Sequence, residues 1–120
     1  MGVVYAPFLN ELFTAARGGG AALNGRAIQV TANASLIAAL VATGFPYERE
    51  HGLPGIVQRL GRVLTQVQDI RRGGSAAMDL AYVACGRLDA YYEVQLSPWD
   101  SAAGWQVRRS EERRVGKECR

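Results

Sequence analysis

The stretch from Ile70 to Gly104, IRRGGSAAMDLAYVACGRLDAYYEVQLSPWDSAAG, limits the fold more than any other part of the chain. Gly73 and Gly74 allow a sharp turn, Ser75 is a favoured helix N-cap, and Asp79 adds negative charge near the positive helix end. Ala77, Leu80, Ala81, Ala84 and Cys85 recur at helical spacing, and Gly86 is a natural stop. Leu88, Ala90, Tyr92 and Val94 then alternate with Asp89, Tyr91, Glu93 and Gln95, the pattern of a half-buried strand. With Gln68 to Arg71 as a short strand before it and Trp99-Asp100 opening a helix after it, the stretch predicts an α/β order of elements.

Three polar sites stand at element ends: Gly74-Ser75 at the glycine turn, Glu93 near the end of the alternating strand, and Asp100 after Pro98-Trp99. Singly, each has a structural reading as a turn and cap, a solvated strand residue, and an N-cap aspartate. Jointly they form a candidate ligand site. A helix N-terminus offers free N–H groups to anions or sugar hydroxyls, and a carboxylate beside it can hold a hard cation that bridges to phosphate. On the residues alone both readings stand.

The earlier part of the chain predicts scaffold. Gly2 to Ala6 and Glu11 to Ala16 are strand-like runs joined by Pro7-Phe8-Leu9-Asn10, and Asn24-Gly25 between extended runs is a strong hairpin signal. The first thirty residues or so therefore predict an antiparallel meander. Gly18-Gly19-Gly20 lacks the Lys-Ser/Thr of a P-loop and predicts a flexible turn. Asn33-Ala34-Ser35 offers caps for a helical turn, and Ala39 to Phe45 predicts a buried strand that stops at Gly44-Phe45-Pro46. Pro54 and Gly55 open an amphipathic helix in which Ile56, Leu60, Val63, Leu64 and Val67 predict one buried face. His51, the single histidine, falls in a polar loop and reads as solvated rather than catalytic. The whole predicts a mixed α/β architecture, an antiparallel meander followed by βαβ-type units.

Composition narrows the function classes. The longest apolar run, Leu36 to Ala42, is too short to cross a bilayer, and the residues after Met1 carry no signal-peptide pattern, so a cytoplasmic protein with no membrane partner is expected. The net charge of +3 points weakly to nucleic acid, because six of the 14 Lys and Arg fall between Arg108 and Arg120 and no basic stripe interleaves with aromatics elsewhere. No nucleic-acid partner is expected. Cys85, in an apolar helix, and Cys119, near the terminus, suggest neither a disulfide framework nor a zinc cluster.

Gly73-Gly74-Ser75-Ala76-Ala77, Asp79 to Gly86, Asp89-Ala90-Tyr91-Tyr92-Glu93 and Trp99-Asp100-Ser101-Ala102-Ala103-Gly104 together resemble the carboxy-terminal signature of the inositol monophosphatase family. Gly2 to Pro7, Glu11 to Ala15, Leu23-Asn24-Gly25 and Ala42 to Tyr47 resemble the middle of the same proteins, so the match runs from Gly2 to about Val107. The resemblance implies a fragment of a layered α/β sandwich of the sugar-phosphatase kind. It also implies Mg2+-dependent hydrolysis of a small phosphate monoester, most favourably inositol monophosphate, by a protein that is usually a homodimer. Sister activities on fructose bisphosphate, histidinol phosphate or phosphoadenosine phosphate are alternatives, as is a non-catalytic ligand-binding protein. By this resemblance Asp100 matches a catalytic carboxylate that ligates magnesium near the substrate. Glu93 matches a carboxylate that binds substrate hydroxyls, and Gly74, Ser75 and Ala76 match a segment lining the substrate pocket.

The sequence departs from the family pattern in two places. The metal motif Asp-Pro-x-Asp-Gly-Thr and the glutamate ahead of it do not occur in these 120 residues. One aspartate cannot fill a near-octahedral oxygen shell, so the polypeptide alone is expected to hydrolyse no phosphate ester at a useful rate. The second departure is the charged run from Arg108 to Arg120, where the family continues into a hydrophobic strand. Residues 1–109 are thus expected to be the middle and carboxy-terminal part of an inositol monophosphatase-like domain. Residues 110–120 are expected to be a non-native tail, disordered or weakly helical, with Cys119 as an exposed thiol. Uncovered sheet faces and open edges predict an isolated chain of marginal stability.

Overall fold

The computed structural model describes residues 1–46, 52–94 and 96–115, with backbone alone for 108–115. Tyr47, His51, Gln95 and Cys119, all named in the sequence analysis, lie outside the described residues.

The predicted meander is present. Strands β1 (Gly2–Ala6), β2 (Glu11–Ala16), β3 (Gly20–Leu23) and β4 (Arg26–Ala27) form an antiparallel sheet in chain order. A 3-10 turn over Pro7–Leu9 joins the first two strands and ends on Asn10 at φ 51°. The hairpin at Asn24-Gly25 has φ 48° and 78°, the doubly positive geometry of a tight β-turn. Asn24 also braces the first turn: its Oδ1 accepts from the Leu12 N–H at 2.8 Å and its Nδ2 donates to the Asn10 carbonyl at 2.9 Å.

The second sheet is parallel and holds β5 (Leu40–Thr43), β6 (Asp69–Arg71) and β7 (Ala90–Tyr92) in the order β6-β5-β7. Helix α1 (Leu53–Leu64) links β5 to β6, and α2 (Ala76–Ala84) links β6 to β7. Val41 faces a cluster with Val63 and Val67 on the α1 side, whereas its neighbour Ala42 faces Val83 and Leu88 on the α2 side. Alternate residues of β5 thus serve opposite faces, as the period of two requires. The two crossover helices consequently lie on opposite sides of the sheet.

Helix α3 (Pro98–Val115) packs along α2 and against β1, β2 and β3. The main core fills this space: Val4, Phe13, Ala15 and Ala21 of the meander meet Ala81 and Ala84 of α2 and Val107 of α3. The order of layers is therefore sheet, helix pair, sheet, helix, which is the α/β layered sandwich expected. Among the described residues no helix is long and apolar enough to cross a membrane.

Two expectations need correction. The apolar stripe of α1 is not buried: the helix contains no buried residue, Leu64 is 54% exposed, and Val67 is buried only from the turn that follows. The reason is geometric, since α1 lies over a sheet of only three short strands. The strand from Leu88 is shorter than the alternation predicts, and Ala90 is exposed, because β7 is an edge that pairs with β5 alone. The charged run after Arg108, expected to be disordered or weakly helical, is helical as far as Val115, consistent with the good helix propensity of Arg and Glu.

Candidate active site

The carboxyl ends of all three parallel strands point to one place. Gly44 and Phe45 follow β5, Arg72 follows β6, and Glu93 follows β7. A crevice at the carboxyl ends of strands where crossovers leave to opposite sides is the usual ligand position in open α/β sheets. Here that crevice is a cavity of about 250 Å3 bordered by these residues together with Gly74, Ser75, Ala76, Asp79, Leu96, Trp99 and Asp100. Every predicted site residue therefore converges on one cavity.

The helix-start segment supplies one wall. Gly74 takes φ +92°, which turns the chain from β6 into α2, and Ser75 stays extended at φ −138° as the N-cap. The Ser75 Oγ accepts from the Met78 N–H at 3.4 Å, a long bond that leaves the other first-turn N–H groups at the cavity end of the helix. The expected cap is thus present, at the weak end of its range.

Glu93 forms the opposite wall. Parallel pairing of Thr43 with Tyr92 brings the next residues, Gly44 and Glu93, side by side. A Cβ on Gly44 would collide with the Glu93 carboxylate, so a larger residue there would push that side chain aside. The Tyr91 hydroxyl donates to Glu93 Oε2. Burial and this bond to Glu93 hold the Tyr91 phenol well above its ordinary range, so it stays protonated as a donor.

Asp100 stands in the first turn of α3, where the sequence placed it. The expectation of an N-cap aspartate is corrected, because α3 begins at Pro98 and Asp100 is its third residue; its Oδ2 reaches back to accept from the Ser97 N–H at 3.1 Å, as the third residue of a capping box does. The capping reading and the ligand reading are compatible, because one carboxylate oxygen serves the backbone and the side chain still borders the cavity.

Asp79 needs a correction. It was expected to be a charge near the helix end, yet it is only 4% exposed and lies against the cavity. Burial first, and the neighbouring Glu93 charge second, raise its pKa to about 6, with Arg72 acting in the opposite sense. The signal was present in the spacing: Asp79 is four residues after Ser75 and so shares a face with the helix start. Gly44, Arg72 and Tyr91 carried no such signal, since their roles come from strands that meet only in the sheet.

The donor set does not make a magnesium site by itself. Among the described residues no group of three or more His, Cys, Asp or Glu is placed to hold a metal ion. Asp100 is the side chain matched to a metal ligand, and a near-octahedral shell needs more oxygens than it provides.

Comparison with known proteins follows the same outline. The family profile described as "Inositol monophosphatase family" matches residues 1–109. The chain is 48% identical over 102 residues to the Nus factor SuhB of Salmonella typhimurium strain LT2, covering 85% of this chain and 38% of that protein. It is 51% identical over 104 residues to the inositol-1-monophosphatase of Synechocystis, covering 87% and 36%. The solved inositol monophosphatase of Anabaena superimposes with a TM-score of 0.87 at 42% identity, over 91% of this chain and 43% of that one. The chain thus spans less than half the length of the relatives it matches. Relatives named Nus factors give no support to the expectation that nucleic acid is absent from the partners. With the profile match over most of its length, the chain belongs to the inositol monophosphatase family.

Proposed function

We propose that this chain forms the substrate-recognition part of a cytoplasmic, homodimeric, Mg2+-dependent phosphatase that hydrolyses a small phosphate monoester, most favourably inositol monophosphate. The observation that carries the reading is the convergence of the α2 start, Glu93 and Asp100 on one cavity of about 250 Å3, a size suited to a single sugar-like ring. First-turn N–H groups near Gly74, Ser75 and Ala76 accept the anionic or hydroxyl-bearing end of the substrate. Glu93, held by Tyr91, accepts hydroxyl protons and sets the ring's orientation. Asp100 contributes a carboxylate oxygen toward a cation at the phosphate end. Mg2+, when bound, would supply charge neutralisation at the phosphate and an activated water.

Residues 1–109 are the middle and carboxy-terminal part of the inositol monophosphatase-like domain in this reading, and residues 110–120 are a non-native tail. The 120-residue chain alone is predicted to be inactive. A purified sample whose magnesium-dependent release of phosphate from inositol 1-phosphate exceeds that of Asp100→Ala would overturn this. The second reading is a non-catalytic ligand-binding or interaction protein, and relatives named Nus factor SuhB keep a role other than hydrolysis open. Magnesium separates the two: full-length protein with metal-dependent hydrolysis supports the first reading, and ligand binding indifferent to metal supports the second.

A further inference from the structure

We propose that Asp79 is a second acceptor of substrate hydroxyls, so that Asp79 and Glu93 together recognise two neighbouring hydroxyls of a polyol phosphate; this rests on the reading that the cavity takes such a substrate. Asp79 is 4% exposed and borders the same cavity as Glu93. Among the described residues no hydrogen bond reaches its carboxyl oxygens, and the residue lines the cavity beside Glu93 and Arg72. A buried carboxylate without a donor is costly, and the group that would relieve it is a ligand O–H.

The backbone is shaped around both carboxylates in the same way. A Cβ on Gly73 would stand 2.6 Å from Asp79 Oδ1, and one on Gly44 would run into the Glu93 carboxylate. Each acid therefore sits over a glycine, a placement that neither helix packing nor capping requires. Glu93 already receives the Tyr91 hydroxyl on Oε2, which leaves Oε1 for a ligand. Two carboxylates side by side repel phosphate and attract paired hydroxyls. They thereby sort the substrate, hydroxyl face toward Asp79 and Glu93, phosphate toward the start of α2 and Asp100.

The test is an NMR titration of the 120-residue chain with myo-inositol and, separately, with inorganic phosphate, for the unaltered protein and Asp79→Asn. The variant is expected to bind myo-inositol about tenfold more weakly, the loss of a charged hydrogen-bond acceptor, and to bind inorganic phosphate as well as before or better. Equal myo-inositol affinity overturns the proposal, and so does parallel loss of both ligands, which marks a scaffold role. Failure of the unaltered chain to respond to either ligand overturns the reading of the cavity itself. A second measurement needs no variant: the 13C resonance of the Asp79 carboxyl should move on adding myo-inositol, and a stationary resonance refutes the contact.

Discussion

Asp79 should make the protein less stable as pH rises through the weakly acidic range. In the unfolded chain its carboxyl ionises near the ordinary aspartate value of 3.8, whereas the folded chain holds its proton to about 6. Between these values the folded state binds more protons than the unfolded state, so stability falls with increasing pH. The full penalty is present above the folded value and absent well below the unfolded one. The move from 3.8 to about 6 corresponds to about 3 kcal/mol at about 1.36 kcal/mol per pH unit. Asp79→Asn keeps the side-chain size and removes the charge. The variant should therefore exceed the unaltered chain by about 2–3 kcal/mol at pH 8 and by little at pH 4, a shift of roughly 1–2 M in the urea midpoint at the higher pH. Urea unfolding of both chains at intervals from pH 4 to 8 measures this directly. A difference that stays constant with pH, or a variant that is less stable at pH 8, would refute the reasoning. A destabilising acid kept at the wall of a cavity is what a functional role, rather than stability, accounts for.

Gly44→Ala should displace the Glu93 carboxylate, weakening myo-inositol binding in the NMR titration while changing stability little, because the atoms in its way are the end of a flexible side chain. Asp89 joins the layers, accepting from Thr31 Oγ1 at 2.6 Å and from the Leu40 N–H at 2.7 Å, so Asp89→Ala should cost about 2–3 kcal/mol in urea unfolding. The bond from Thr31 is the main cause holding the Asp89 carboxyl below its ordinary value. Its stabilisation is present above pH 3.8 and fades as pH falls through the lower folded value, an acid sensitivity that Asp89→Ala should lack. Ser75→Ala removes a cap bond of 3.4 Å and should lower stability by about 0.5–1 kcal/mol, read as a small drop in Tm.

Local chemistry made much of this protein legible in its sequence. Asn24-Gly25 dictates a hairpin because both residues tolerate positive φ, and Gly74-Ser75 dictates a turn into a helix because one supplies positive φ and the other a cap. Glu93 and Asp100 were readable as candidates because they end or begin elements, and it was the resemblance to the inositol monophosphatase family that singled them out. Tertiary structure alone decided the rest. The exposure of α1 depends on how much sheet lies beneath it, and the brevity of β7 depends on its place at the sheet edge, neither of which a periodic pattern records. Gly44 reads as a strand stop until β5 and β7 pair and set it under Glu93. Asp79 reads as a helix-end charge until the layers close over it. Sequence determines what each residue can do with its near neighbours, whereas burial and the approach of distant charges, which set the chemistry of a carboxylate, arise only when the chain is packed.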